Sequence, residues 1–264
     1  MHDIILYIPV FLLGLVVGSF LNVCIYRIPR RLSVIMPPSR CPSCNIPIKP
    51  WDNIPIASYI LLGGRCRFCK SRISFRYPLV EFLNAALYVL VLWRFGFGWH
   101  AVLYFAFSSA LLVISFIDLD FQIIPDRITL LGIPIGFLAG SFLLPDPFVR
   151  SSLLGVKESL IGMIIGFGFF YLVALLGSAI FKKEALGGGD IKMMAMVGGL
   201  MGWKTVILTT FLGSLTGSVF GILLIVLKGK GKKAQIPFGP FLALGTIITL
   251  FYGQEIASWY LGGG

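Results

Sequence analysis

Long apolar runs recur along almost the whole chain, and they constrain its fold more than any other feature. A soluble domain of 264 residues could not bury a composition that is 57% hydrophobic with a mean hydropathy of +0.93. We therefore expect an all-α polytopic membrane protein with about eight transmembrane helices and a small polar insert. The runs are roughly 4–26, 78–97, 100–117, 128–145, 153–181, 190–203, 205–227 and 238–261.

The sixth apolar run is unusually short. As a helix, Ile191 to Trp203 would rise only about 20 Å, against a hydrocarbon core of about 30 Å. Either the membrane is thin there, or the loop Gly187–Gly189 lies below the membrane surface. Non-helical backbone at that depth is tolerated only where it lines a cavity in the protein. The run therefore indicates a functional site, with Gly187, Gly188, Gly189 and Lys192 as the residues that shape it.

A polar stretch rich in proline and cysteine separates the first apolar run from the others. We expect three parts: a first transmembrane helix in 1–27, a cytoplasmic insert in 28–77 and a transmembrane bundle in 78–264. The first run has no basic segment before it, and Tyr26 and Arg27 are bulky where signal cleavage needs small residues. It is therefore expected to remain a helix.

The net charge of +11 is distributed asymmetrically. If the N-terminus is outside, 18 of the 22 Lys and Arg residues fall in segments on one face, ten of them in 27–77. This is the positive-inside pattern, so it favours topology and contact with anionic membrane lipids over nucleic-acid binding. The same count predicts both termini outside and places Asp118 and Asp190 on the cytoplasmic face.

Two CxxC pairs lie in the insert, Cys41 with Cys44 and Cys66 with Cys69, separated by 21 residues. This spacing is typical of a tetrahedral zinc site. Four cysteine ligands leave no position for a catalytic water, so the metal is expected to be structural. The alternative is two disulfides or free thiols, and a reducing cytoplasm disfavours the disulfides. The fifth cysteine, Cys24, is expected to be a small packed residue.

Carboxylates are rare in the chain, which makes those near apolar runs informative. Asp118 follows an apolar run and is expected to be deeper than Asp120 and Asp126, with Asp126 a candidate helix N-cap. Asp190 follows three glycines at the start of the short run. Glu81 is expected either to pair with a basic residue of the insert or to bind a polar group.

Asp118 and Asp190 on one face would form an acid–base pair. Two carboxylates that share a site do not both ionise easily, so one would activate water while the other protonates the scissile group. The alternative is a pair of ion-pathway carboxylates, or a pair neutralised by Lys192 and Arg127. The residues alone leave both interpretations open.

Five segments together resemble the type IV prepilin peptidases, the bifunctional leader peptidase/N-methyltransferases of bacterial inner membranes. They are Gly18–Pro29, the double CxxC followed by Arg76–Glu81, Asp118 with Ile124-Pro125-Asp126, Gly187–Ala195 with its Gly-Gly-Gly-Asp sequence, and Ile236–Ala243. The match covers almost the whole chain, and the combination is far more specific than a lone GxGD motif.

The resemblance implies an aspartyl endopeptidase that removes the short basic leader of type IV prepilins and pseudopilins, at the cytoplasmic face and after a glycine. By position, Asp118 and Asp190 take the catalytic roles. It also implies methylation of the new N-terminal residue with S-adenosylmethionine. No glycine-rich nucleotide motif marks a site for this methyl donor, so its location stays unknown.

Two other classes of function are consistent with the same residues. An ion-coupled transporter or channel would use Asp118 and Asp190 as ion ligands and the zinc ribbon as a regulator. A noncatalytic scaffold of a secretion machine would need neither carboxylate. Substitution of the two aspartates distinguishes the three classes.

Overall fold

The computed structural model describes residues 2–182, 186–228 and 236–262, and these residues are almost entirely helical. The long helices are α1 (His2–Arg27), α3 (Arg76–Phe95), α4 (Trp99–Phe121), α5 (Asp126–Phe142), α6 (Gly155–Phe181), α7 (Gly188–Met201), α8 (Trp203–Lys228) and α9 (Gly239–Gly262). The insert contributes a short 3-10 helix (Pro50–Asn53) and α2 (Ala57–Leu61). The basic residues of 229–233 lie outside the described part of the chain.

The eight predicted apolar runs correspond to these eight long helices. Six of them are long and apolar enough to cross a membrane, judged by length and composition. The other two, α5 and α7, have 17 and 14 residues. The expectation of a polytopic all-α protein is therefore confirmed, and the predicted short run is the shortest of the eight.

The described chain divides into two compact units, residues 1–113 and 114–264. This division differs from the three parts expected from composition, because α3 packs closely on α1 within the first unit. A Cβ added to Gly14 would lie 2.5 Å from Ala85 Cα, and one added to Gly18 would lie 2.7 Å from Glu81 Cα. The boundaries 27/28 and 77/78 stay a prediction about the insert.

Helix α7 lies at the centre of the second unit, where α5 and α6 pack against it. Gly162 and Gly166 of α6 meet the backbone carbonyls of Gly198 and Met194, and Gly140 of α5 meets that of Gly199. Small residues allow the helix backbones to approach this closely. In lipid there is no hydrophobic driving force between helices, so such close packing stabilises their association. Consequently α7 is buried on nearly all sides, including Asp190 near its start.

Candidate active site and metal centre

The second unit brings three chain segments together around Ile124: the α4–α5 connection and the first turns of α7 and α9. A Cβ added to Gly189 would lie 2.6 Å from Ile124 Cβ, and one added to Gly239 would lie 3.2 Å from Ile124 Cδ1. Ile124 therefore packs against the N-terminal ends of two helices. The aspartates Asp118 and Asp190 occupy the same region, and both are buried.

Asp118 lies one turn before the end of α4, because the helix continues past the predicted end of the apolar run to Phe121. Its Oδ2 accepts a hydrogen bond of 2.9 Å from the backbone N–H of Gly239, the first residue of α9. The first N–H groups of a helix have no partner within the helix and carry partial positive charge. The side chain of Asp118 thus caps α9 from a position 121 residues away.

Asp190 lies in the first turn of α7, and its backbone N–H donates to the carbonyl of Gly187. Its Oδ1 is buried and has no hydrogen-bond partner among the described residues. The carboxylates of Asp190 and Asp118 are close enough to interact electrostatically. A buried carboxylate oxygen without a donor costs free energy unless a proton, a water or a substrate group satisfies it.

The three glycines before Asp190 do not form the expected loop. Gly187 precedes α7, and Gly188 and Gly189 belong to its first turn. Gly189 packs against Ile124, where any side chain would clash. A Cβ on Gly188 would meet nothing within 4 Å, so only Gly189 is required by a close approach.

Lys192 and Asp126 form an ion pair of 2.5 Å between α7 and α5. This contact corrects two expectations. Asp126 is not an N-cap, because Pro125 precedes the helix and the side chain of Asp126 reaches Lys192 instead. Lys192 neutralises Asp126 rather than Asp118 or Asp190, and within the described residues no cation pairs with those two. Asp120 is exposed, as expected for a solvated residue.

Gly239 was not singled out from the sequence, although it lies in the Pro237-Phe-Gly-Pro240 segment of the last motif. A glycine followed by proline at a helix start is the available signal, since proline is favoured in the first turn. The sequence does not show that the N–H group of Gly239 donates to Asp118.

The first unit holds the four cysteines of the insert. Their Sγ atoms all lie within 4.8 Å of one another, so the cluster could hold a metal ion. The Sγ atoms of Cys41 and Cys69 are 3.8 Å apart, matching the separation of about 3.8 Å expected for tetrahedral zinc thiolates with bonds of about 2.3 Å. All five cysteines of the chain are free, which excludes the two disulfides.

The two CxxC pairs adopt the same turn. The N–H of Asn45 donates to the carbonyl of Cys41, and the N–H of Lys70 donates to that of Cys66. Asn45 and Lys70 have φ of 56° and 59°, the left-handed conformation that closes each turn. In the sequence the repeat shows only as the shared pattern Arg-Cys-x-x-Cys-x-x-x-Ile, in 40–48 and 65–73. It holds each pair of thiols on one side of the cluster.

Hydrogen bonds from Ser71 favour the thiolate form of Cys69. The side-chain and backbone hydrogen bonds from Ser71 lower the pKa of the Cys69 thiol, and the Ser71 hydroxyl lies 3.1 Å from its Sγ. A metal ion binds cysteine as thiolate, so the donors of Ser71 fit the role of Cys69 as a metal ligand.

Glu81 does not form the expected pair with a basic residue of the insert among the described residues. Its Oε2 accepts a hydrogen bond of 2.8 Å from the backbone N–H of Ile56, a residue of the insert. The described residues offer this buried carboxylate no cationic side chain, so the expected pairing with a basic residue is wrong. A backbone donor takes that place, and it belongs to Ile56, the N-cap residue of α2.

Two family models match the chain. The Bacterial Peptidase A24 N-terminal domain matches residues 12–95, and the Type IV leader peptidase family matches residues 105–222. No solved structure gives a significant match.

Relatives match over nearly the full length. Proteins named "Prepilin leader peptidase/N-methyltransferase" are 35% identical in Pseudomonas aeruginosa, over 98% of this chain and 95% of the relative. In Aeromonas salmonicida the identity is 36%, over 96% and 92% of the two chains. In Legionella pneumophila it is 34%, over 97% and 95%.

Apolar helices around a buried pair of interacting carboxylates define a multi-pass membrane protein with a candidate acid–base site. The chain belongs to the type IV leader peptidase family. Membership of this family makes it an enzyme, a peptidase and a methyltransferase.

Proposed function

We propose that the chain is a membrane aspartyl endopeptidase that removes the basic leader of type IV prepilins or pseudopilins. Cleavage falls after a glycine at the cytoplasmic face, and the enzyme then methylates the new N-terminal residue with S-adenosylmethionine. The names of the relatives support the substrate and both activities. The observation that carries the proposal is the pair Asp118 and Asp190, buried, interacting and free of any cationic partner among the described residues.

The chemistry follows from one shared proton. Two neighbouring carboxylates in a water-poor site hold a single negative charge more easily than two. The ionised carboxylate takes a proton from water, and the resulting hydroxide attacks the peptide carbonyl. The protonated carboxylate donates to the carbonyl oxygen, and a proton then passes to the departing amine. The Gly239 N–H keeps Asp118 in one orientation during these steps.

Gly187, Gly188 and Gly189 support substrate access at the same place. A scissile bond must approach Asp190 as an extended peptide, and residues without side chains leave room for its backbone. Gly187 and Gly188 are exposed, whereas Gly189 is in contact with Ile124. Lys192 shapes the site indirectly, because its ion pair with Asp126 joins α7 to α5 beside the two aspartates.

We assign zinc to Cys41, Cys44, Cys66 and Cys69, with a structural role. The cluster supplies four thiol ligands in matching turns, which is the donor set that zinc prefers. An insert of about fifty residues with few aliphatic side chains has too small a core to fold without such a staple.

We place the protein in the bacterial inner membrane with both termini outside and with the insert and the aspartates on the cytoplasmic side. The distribution of Lys and Arg supports this orientation. A prepilin has a hydrophobic N-terminal helix, so it would reach Asp118 and Asp190 laterally from the lipid.

Replacement of each aspartate by asparagine tests the function, with a purified prepilin as substrate and mass spectrometry as the readout. Asp118→Asn and Asp190→Asn are expected to reduce cleavage by about 10²–10⁴-fold, the usual contribution of a general acid or base. Asp120→Asn, an exposed carboxylate two residues from Asp118, serves as the matched control. Addition of S-adenosylmethionine should add one methyl mass to the cleaved product.

Full cleavage by both asparagine variants would remove the dyad and favour a transporter or a scaffold. Loss of the leader mass without a methyl mass in the wild type would restrict the activity to peptidase.

A further inference from the structure

The short helix α2 of the insert has its apolar side chains outside and its polar side chain inside. Ala57, Ile60 and Leu61 are spaced i, i+3 and i+4, so they form one apolar face of α2, and all three are exposed. The exposed fractions of Ile60 and Leu61 are 70% and 85%. Ser58, in contrast, is buried and donates to the carbonyl of Trp51. This arrangement is the reverse of the one expected for a surface helix in water.

A hydrogen bond fixes the level of α2 along α3. Ile56, the N-cap residue of α2, donates its N–H to Glu81 Oε2 at 2.8 Å. Glu81 lies in the second turn of α3, about 8 Å along the helix axis from its start at Arg76. Because a helix of 20 residues is about 30 Å long, α3 is only just long enough to cross a hydrocarbon core of about 30 Å. The start of α2 therefore lies beside a part of α3 that is already within the membrane.

A second contact holds α2 at the same level. The ring of Tyr59 packs edge-on against that of Phe75, the residue that precedes α3, with the ring centroids 6.4 Å apart. The backbone of the segment is also suited to lipid, where polar backbone groups must find partners within the protein. N–H groups donate to carbonyls of the same segment at Ser58, Ile60, Leu62, Gly63 and Gly64.

The chain that follows α2 is positively charged. Arg65 comes four residues after the end of α2, a β-bridge pairs it with Arg72, and both are exposed. Asp52 is the single acidic residue of 28–77, and Arg67 already forms an ion pair with it. This charge attracts the phosphates of anionic lipids. It would repel the basic leader of a prepilin, so charge favours lipid over the substrate as the partner of α2.

We propose that α2 is an interfacial anchor that holds the insert in the bilayer crossed by α3. The apolar face of α2 lies in the lipid, and Arg65 and Arg72 lie at the level of anionic headgroups. Interfacial helices bury their apolar face about 5–10 Å deep, in agreement with the level set by the hydrogen bond to α3. The anchor does not depend on the proposed peptidase or methyltransferase activity.

Photo-crosslinking of the zinc-loaded full chain tests the anchor. The variant Leu61→p-benzoylphenylalanine is reconstituted in vesicles that contain equal amounts of phosphatidylglycerol and phosphatidylcholine, irradiated and weighed by mass spectrometry. We expect lipid adducts in which phosphatidylglycerol is enriched about fivefold, the effect of one basic residue near an anionic surface. Addition of Arg65→Gln should lower this enrichment by about twofold or more.

Two further positions are controls for the crosslinking. Ile207 is exposed on the spanning helix α8, so the same replacement there should give lipid adducts in every preparation. Ser43 is exposed in the turn of the first CxxC pair, and replacement there should give none. The zinc content of each variant reports whether its insert is folded. Ile60 provides a second reporter on the same face if the Leu61 variant loses its metal.

Folded chains that form lipid adducts at position 207 but at neither position 60 nor 61 would overturn the anchor. Equal lipid adducts at 43 and 61 would also overturn it, because the apolar face of α2 would then not be distinguished from the rest of the insert. An adduct with a second copy of the chain, or with added prepilin in place of lipid, would assign the face to a protein partner. Enrichment of phosphatidylglycerol that is unchanged by Arg65→Gln would overturn the role of Arg65.

Discussion

At the scale of single residues, each of the two aspartates is positioned by the first turn of a helix. Asp190 lies in the first turn of α7, and Asp118 accepts the first N–H of α9. Helix N-termini carry unpaired N–H groups and partial positive charge, so they hold carboxylates in fixed positions. Gly239 is therefore a positioning residue, since it supplies the donor and leaves space for the carboxylate.

The substitution Gly239→Ala is expected to reduce prepilin cleavage by about 10²-fold, because a displacement near 1 Å at a reacting group has that effect. The added Cβ would lie 2.6 Å from Asp118 Oδ2 and 3.2 Å from its Cγ, so the side chain must move. Kinetic assays should show the loss mainly in kcat, while substrate binding changes little.

Gly168→Ala is the matched control, because a Cβ at that position of α6 would meet nothing within 4 Å. Wild-type kcat in a folded Gly239→Ala variant would contradict the positioning role.

At the scale of secondary-structure elements, α7 is held by backbone contacts with α5 and α6. Gly162 and Gly198 approach so closely that a Cβ on either would overlap the other's carbonyl. The hydroxyl of Ser159 also donates to the carbonyl of Gly199, adding a polar contact between α6 and α7. Because α7 carries Asp190, this packing sets where that carboxylate lies.

Gly162→Ile should therefore separate α6 from α7. We expect a loss of stability of about 1–3 kcal/mol, the usual cost of overpacking, together with weaker cleavage. Thermal unfolding in detergent measures the first effect. An unchanged unfolding temperature would show that the two backbones are not in contact, and Gly168→Ala again provides a substitution in the same helix without a clash.

The fold of the insert is expected to depend on the four cysteine Sγ atoms of the metal site. Metal analysis of the purified chain should find one zinc ion, and Cys41→Ser or Cys66→Ser should lower the content because each removes one of four ligands. Cys24→Ser is the control, as Cys24 lies in α1 and is not in the cluster. Unchanged zinc in either ligand variant would count against the four-cysteine set.

At the scale of the whole molecule, the distribution of charge relative to the apolar helices sets the expected orientation. Basic residues concentrate in the insert and in two later connections, and the expected topology places only Arg94, Arg150, Lys157 and Lys204 on the opposite face. Orientation in bacterial membranes follows such asymmetry. The insert would then lie in a reducing compartment, in keeping with its free thiols.

Reporter fusions test this orientation. Alkaline phosphatase, which is active only outside the cytoplasm, should be active when fused after residue 264 and inactive when inserted in the 28–77 region. The insert fusion is the internal control for expression. Reversal of the two activities would invert the predicted topology.

The sequence by itself determined the membrane class, the approximate limits of the long helices, the cysteine cluster and the two candidate aspartates. These features are encoded locally, because hydropathy and ligand spacing depend on residues near each other in the chain. Helix ends were less certain, since α4 continues through Asp118 to Phe121 and α7 begins within the three glycines.

Only the tertiary structure decided what each charged group contacts. The Gly239 N–H to Asp118, the pair of Lys192 with Asp126, and the Ile56 N–H to Glu81 all join residues that are 25 to 121 positions apart. Which groups become hydrogen-bond partners depends on how closely the helices pack. Glycine contacts between helix backbones control that distance. The level of α2 beside α3 has the same origin, because the hydrogen bond to Glu81 exists only once the insert folds against α3.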